Sequence, residues 1–129
     1  MSSWLGAHLG EECCHLTTVG RRSGRPHEIE IWFVVAGDVL YMVAGGGESS
    51  DWYRNALADP NVVLRLGGEI RRATARSVTD SGERRRVGGL MDAKYPTYED
   101  LSLGLPHRRW AYDVPALAIE GWTPLTSGT

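Results

Sequence analysis

CHLTTVGRRSGRPHEIEIWFVVAGDVLYMVA, residues 14–44, decides the fold. "CHLTTV", residues 14–19, has the composition of a strand. "GRRSGRP", residues 20–26, reads as a turn by its glycines and proline. "HEIEIWFVVA", residues 27–36, alternates at its start with the period of a half-buried strand. His27, Ile29, Ile31 and Phe33 then share one face, and Glu28, Glu30 and Trp32 share the other. Gly37 and Asp38 make a tight turn, and "VLYMVA", residues 39–44, returns as the next strand. The first half therefore predicts an antiparallel meander.

Downstream, "GGGESS" breaks the sheet and "DWYRNALA", residues 51–58, predicts a helix. Ser50 suits its N-cap, Asp51 suits its positive end, and Asp59-Pro60 stops it. Residues 62–66 and 69–78 form a second hairpin around Gly67 and Gly68. Asp80 and Glu83 have capping-box spacing ahead of an apolar stripe of Val87, Leu90 and Met91. Gly88 and Gly89 weaken that helix by about 1 kcal/mol each. Residues 95–110 read as a loop or short helix, and residues 115–121 as a last strand. About six short strands with a few small helices predict a mostly β (α+β), antiparallel barrel, as one domain over residues 1–129.

The totals narrow the function. Net charge is −2, which argues against a nucleic-acid partner. Lys94 is the only lysine, so the cations are arginines, suited to planar anion contacts. Cys13 and Cys14 are adjacent, a spacing that disfavours a disulfide and makes no metal motif. No apolar run approaches a membrane span and no signal-peptide pattern opens the chain, so the expected location is cytoplasmic. No H-E-x-x-H and no G-x-S-x-G motif occurs. An enzyme of this composition would borrow its reactive group from a cofactor.

Three stretches could carry chemistry. In the turn at residues 20–26, Gly20 and Gly24 free the backbone, Arg21, Arg22 and Arg25 add charge, and Ser23 adds a hydroxyl. A phosphate or carboxylate is the natural guest. In "AGGGESSDWYRN", residues 44–55, a triple glycine before a helix permits close approach of a flat or phosphorylated ligand. In "KYPTYED", residues 94–100, Tyr95 and Tyr98 offer rings and hydroxyls that could donate a proton or hydrogen bond.

Taken in order, "LTTVGRRSGRP", "VAGGGESSDWYRNALADP", "ATARSV" and "KYPTYEDL" resemble the deazaflavin-dependent nitroreductases. That family belongs to a wider flavin and deazaflavin oxidoreductase group with a split β-barrel fold, like flavin reductases and pyridoxamine-phosphate oxidases. The resemblance runs from about Leu16 to Ala118. It implies coenzyme F420 as cofactor, with FMN as the alternative, and hydride transfer to a quinone, nitro compound or similar small acceptor. It places Arg21, Arg22, Ser23, Gly24 and His27 at the anionic tail of F420. Ala44, Gly45 and Gly46 would lie along the ring, and Trp32, Trp52, Tyr53 and Asn55 would complete the wall. Tyr95 and Tyr98 match tyrosines of the substrate pocket, while Leu101 replaces a third. Glu28 and Glu30 put carboxylates where the family has a proline-bearing run. Split barrels often pair, so a homodimer is expected. A non-catalytic flavin or deazaflavin carrier is the alternative class; it would bind without turnover.

Overall fold

The computed structural model describes residues 4–96 and 106–124. Its strands are β1 (Cys13–Val19), β2 (Pro26–Trp32), β3 (Val34–Ala36), β4 (Val39–Val43), β5 (Asn61–Leu66), β6 (Glu69–Ser77) and β7 (Ala116–Pro124). The helices are α1 (Asp51–Ala58), α2 (Ser81–Lys94) and α3 (His107–Tyr112), with 3-10 turns at Trp4–His8 and Gly47–Ser49. The strands form one antiparallel sheet in the order β2-β1-β5-β6-β7-β4-β3.

The two end strands of that order are neighbours in the chain, joined by Phe33 alone. A sheet whose edges are tied by one residue has to curl until they meet, and the result is a split barrel. Here the sequence expectation needs correcting. Residues 27–36 are not one strand: β2 pairs with β1 and β3 pairs with β4, so both pairings of the expected meander form, but on two separate segments at opposite ends of the strand order. The reason is visible at Phe33 and Val34, which are consecutive and both buried. One half-buried strand cannot bury both, because successive side chains point to opposite faces. Changing pairing partner at Phe33 lets each residue find its own core.

Those cores are two layers. Inside the barrel, Cys14 and Leu16 of β1 meet Leu40 and Met42 of β4, Leu64 of β5, and Leu117 and Ile119 of β7. Outside it, Val34, Tyr41, Val43, Ala116 and Ala118 lie under Val87 and Met91 of α2 and Trp110 of α3. Alanines at 116 and 118 leave room for helices to approach that face.

Turn chemistry explains the connections. Gly67 and Gly68 have φ of 58° and 85°, the left-handed pair that a two-residue hairpin of this type demands. The α1 bounds match the expectation, but Ser50 makes no side-chain cap bond. Half of the capping box forms: the Asp80 carboxylate accepts from Glu83 N at 2.8 Å, while the Glu83 carboxylate accepts from Arg76 instead. Cys13 and Cys14 are free thiols at the start of β1, and burial pushes Cys14 up to about 12. No helix among the described residues is long and apolar enough to cross a membrane.

Candidate functional site

Trp52, in the first turn of α1, stands between two cavities and lines both. The larger, about 470 Å³, lies between the arginine turn, β2 and α1. The smaller, about 230 Å³, is lined by Ile31, Trp32, Val43, Gly45 and Trp110, with Glu30 at its wall. Residues 28 and 29 line the first and residues 30–32 the second, so β2 runs along both. Together they make an elongated groove with a basic end and an aromatic end.

The basic end is built by the turn folding back on itself. Gly20 N donates to Arg25 O and Gly24 N donates to Gly20 O, both at 2.8 Å. Gly24 has φ of 72°, which favours glycine there. A Cβ at Gly20 would fall 2.6 Å from Ser23 Oγ and 2.7 Å from His27 Nε2. Glycine at 20 thus lets the serine hydroxyl and the imidazole converge over the backbone. Arg21 is held against α1: its Nη1 donates to Asn55 Oδ1 at 2.7 Å, and its Nη2 to Asp51 Oδ1 at 3.0 Å. Buried Asn55 also accepts from Arg21 N at 3.2 Å. Arg22 is exposed and makes no ion pair among the described residues.

The aromatic end is rigid for a different reason. Trp32 stacks on Tyr95 with ring centroids 4.2 Å apart and planes 13° apart. Trp110 meets Trp32 edge-on at 6.0 Å. The Tyr95 hydroxyl accepts from Phe33 N at 3.1 Å and points at two backbone carbonyls, Glu12 O at 2.7 Å and Phe33 O at 3.0 Å. Burial pushes its pKa well above the ordinary tyrosine range. This hydroxyl is committed to the corner where β2 passes into β3, in contrast to the proton-donating role expected of it. Among the described residues lining the aromatic cavity, Glu30 alone carries a titratable side chain, with His15 Nε2 3.7 Å from its carboxylate.

The structure thus brings Arg21, Arg22, Ser23, His27, Trp52 and Asn55 to the basic cavity, and Trp32, Gly45 and Trp52 to the aromatic one. Others expected with them stand behind. Ala44 is fully buried and donates its N–H to Pro115 O at 2.8 Å. Gly24 closes the turn, and Gly46 O accepts from Ser49 Oγ at 3.3 Å. Tyr53 faces a separate polar cavity, its hydroxyl 2.9 Å from Ser77 Oγ. Tyr98 and Leu101 lie outside the described residues. Sequence reasoning missed Trp110, because α3 has only six residues and shows no readable period. It read Asp51 only as a helix-end charge and missed its bond to Arg21. No group of His, Cys, Asp and Glu among the described residues is arranged to hold a metal.

Comparison with known proteins gives a consistent result. The family model described as F420H(2)-dependent quinone reductase matches residues 4–106. A solved F420-H2 dependent reductase, FDR-A, is similar at 25% identity, covering 85% of this chain and 95% of that one, with a TM-score of 0.65. A structure described as a domain-swapped dimer has 26% identity over 85% of this chain and 81% of its own, also at 0.65. A Listeria innocua protein named for pyridoxamine 5'-phosphate oxidase shares the fold at 17% identity, covering 91% and 90% of the two chains with a TM-score of 0.63.

Proposed function

The chain belongs to the F420H(2)-dependent quinone reductase family and is an F420-dependent oxidoreductase; we propose that its groove is where the coenzyme and the acceptor meet. Arg21, Arg22, Ser23 and His27 hold the anionic tail, and Gly45 and Trp52 line the ring. The residues fit the group. Arg21 is locked in place by Asn55, so little freedom is lost when it binds a phosphate oxygen. Gly45 adds no side chain to the narrow end. The coenzyme, when bound and reduced, supplies a hydride.

The protein's own part is positioning and proton supply. Trp32 and Trp110 give the cavity an apolar, aromatic lining that suits a quinone and equally a nitroaromatic. An acceptor that takes up a hydride leaves negative charge on oxygen, and the Glu30 carboxylate at the cavity wall, with His15 beside it, offers a polar route by which a proton from solvent reaches that oxygen. Tyr95 is a positioning residue that fixes the plane of Trp32. The observation that carries this reading is the junction of a basic and a tryptophan-lined cavity at Trp52.

The test is a fluorescence titration of F420, then oxidation of reduced F420 with menadione and with a nitroaromatic. Arg21→Ala/Arg22→Ala should weaken F420 by about 2–4 kcal/mol if two charge-assisted contacts are lost. Unchanged affinity removes the turn from the site. FMN binding tighter than F420 would favour the flavin alternative, and binding without turnover the carrier. Two copies of the chain are expected to associate, a reading supported by the dimeric relative. A monomer-sized species alone in light scattering would overturn it. The two free thiols favour a cytoplasmic setting.

A further inference from the structure

Two arginines and two carboxylates line the basic cavity: Arg21 and Arg22, against Glu28 and Asp51. Their charges cancel. Asp51 already takes one face of Arg21, at 3.0 Å from Nη2. Arg65 of β5 reaches Glu28 from outside the cavity at 3.4 Å and offsets part of that carboxylate. A site meant for an anion therefore lacks a clear excess of fixed positive charge within its walls. One lining group can change this. His27 sits with its Nε2 beside Ser23 Oγ over Gly20, and histidine is the side chain that takes up a proton between about pH 5 and 8.

We propose that the basic end takes its anion together with a proton on His27, so that affinity for an anionic tail rises as pH falls through the histidine range. This rests on reading that cavity as the tail site. The groups around His27 are consistent with it. From the turn come Arg21, Arg22 and Ser23; from α1, Asp51 and Asn55; from its own strand, Glu28; from β1, Thr18, its pairing partner across the ladder. Of these side-chain types, histidine is the one whose charge changes inside the window. The sign follows from linkage. A protonated imidazole attracts the anion, and the bound anion favours the protonated imidazole. Affinity is highest below the histidine range and falls above it.

The experiment compares F420 with the same deazaflavin chromophore lacking its phosphate-bearing tail, by fluorescence titration at about pH 5.8 and 8.0, on either side of the histidine range. The ratio of the two affinities cancels any titration of the shared ring. The proposal expects the preference for F420 to grow roughly three- to tenfold at the lower pH, the effect of one partly screened charge. His27→Asn should flatten the ratio at its alkaline value, and His27→Arg should flatten it at its acid value. Retained binding of the tail-less chromophore shows that either variant is folded. Calorimetry at about pH 6.5, within the histidine range, in buffers of different ionisation enthalpy should show proton uptake with F420 and lose it in His27→Asn. A wild-type preference independent of pH, or a pH dependence that survives in His27→Asn, overturns the coupling while leaving the tail site standing. F420 binding no better than the tail-less chromophore at either pH overturns the tail site itself, and the coupling with it.

Discussion

Tyr95 links sequence, fold and site in a single side chain. Where β2 passes into β3, Phe33 leaves one ladder before the next begins. Its N–H and C=O then need partners away from the sheet. The Tyr95 hydroxyl accepts from the N–H, its one proton points at both Phe33 O and Glu12 O, and Lys94 Nζ adds a donation to Phe33 O at 3.1 Å. The ring on the other side of that hydroxyl sets Trp32. The sequence showed a tyrosine next to a proline and hence a loop hydroxyl. It could not show that residue 33, 62 positions earlier, would lack a partner. Tyr95→Phe should therefore cost about 1–3 kcal/mol of stability, since it leaves a buried N–H unsatisfied. In kinetics its effect should fall on the KM for the acceptor, through Trp32, with the pH profile unchanged. Wild-type stability in a urea titration would refute the stitching role, and a shifted pH profile would restore Tyr95 as proton donor.

At the scale of elements, α2 and α3 cross at a glycine. A Cβ on Gly88 would fall 2.2 Å from the Tyr112 ring, whereas a Cβ on Gly89 meets nothing within 4 Å. Arg84 of α2 ties the same crossing by donating to Ala111 O at 2.8 Å and Val114 O at 2.7 Å. The adjacent glycines thus predict opposite outcomes. Gly89→Ala should stabilise by about 0.5–1 kcal/mol, the helix-propensity gain alone. Gly88→Ala gains the same propensity but forces overpacking, which costs about 1–3 kcal/mol, so it should destabilise. Thermal melts that move both variants the same way would contradict this packing. Sequence reading treated the two glycines as equal weaknesses because propensity is local and the Tyr112 contact is not. The same distinction sorts the other elements. The α1 helix, with its proline stop, and the second hairpin, with its paired glycines, were legible from neighbours in the chain. The partner switch at Phe33 and the whole of α3 depend on residues far away.

Across the whole molecule, one charged cluster spans the outer layer. Arg76 of β6 donates to both carboxylate oxygens of Glu83 on α2, at 2.9 and 2.7 Å, and its Nε donates to Glu120 of β7. The Tyr41 hydroxyl of β4 donates to the same Glu83 at 2.6 Å. Two strands thus converge on one carboxylate of α2, and a third joins them through Arg76. The hydrogen-bonded Arg76 guanidinium, opposed by burial and assisted by Tyr41, lowers Glu83 from the ordinary 4.5 to about 2. A depressed carboxylate contributes stability that is fully present above its unfolded value. That contribution is lost as pH falls through the folded one. The protein should therefore lose stability between about pH 4.5 and 2, beyond what exposed carboxylates produce. Glu83→Gln keeps the shape and removes the charge. It should lower stability at pH 7 and flatten the acid limb of the curve, read from urea midpoints across that range. None of Arg76, Glu83, Glu120 and Tyr41 lines the groove, so F420 affinity at pH 7 should stay within about twofold of the parent if the cluster acts only on stability. An acid limb as steep in the variant as in the parent would mean that Glu83 is not the carboxylate whose protonation unlocks the layer.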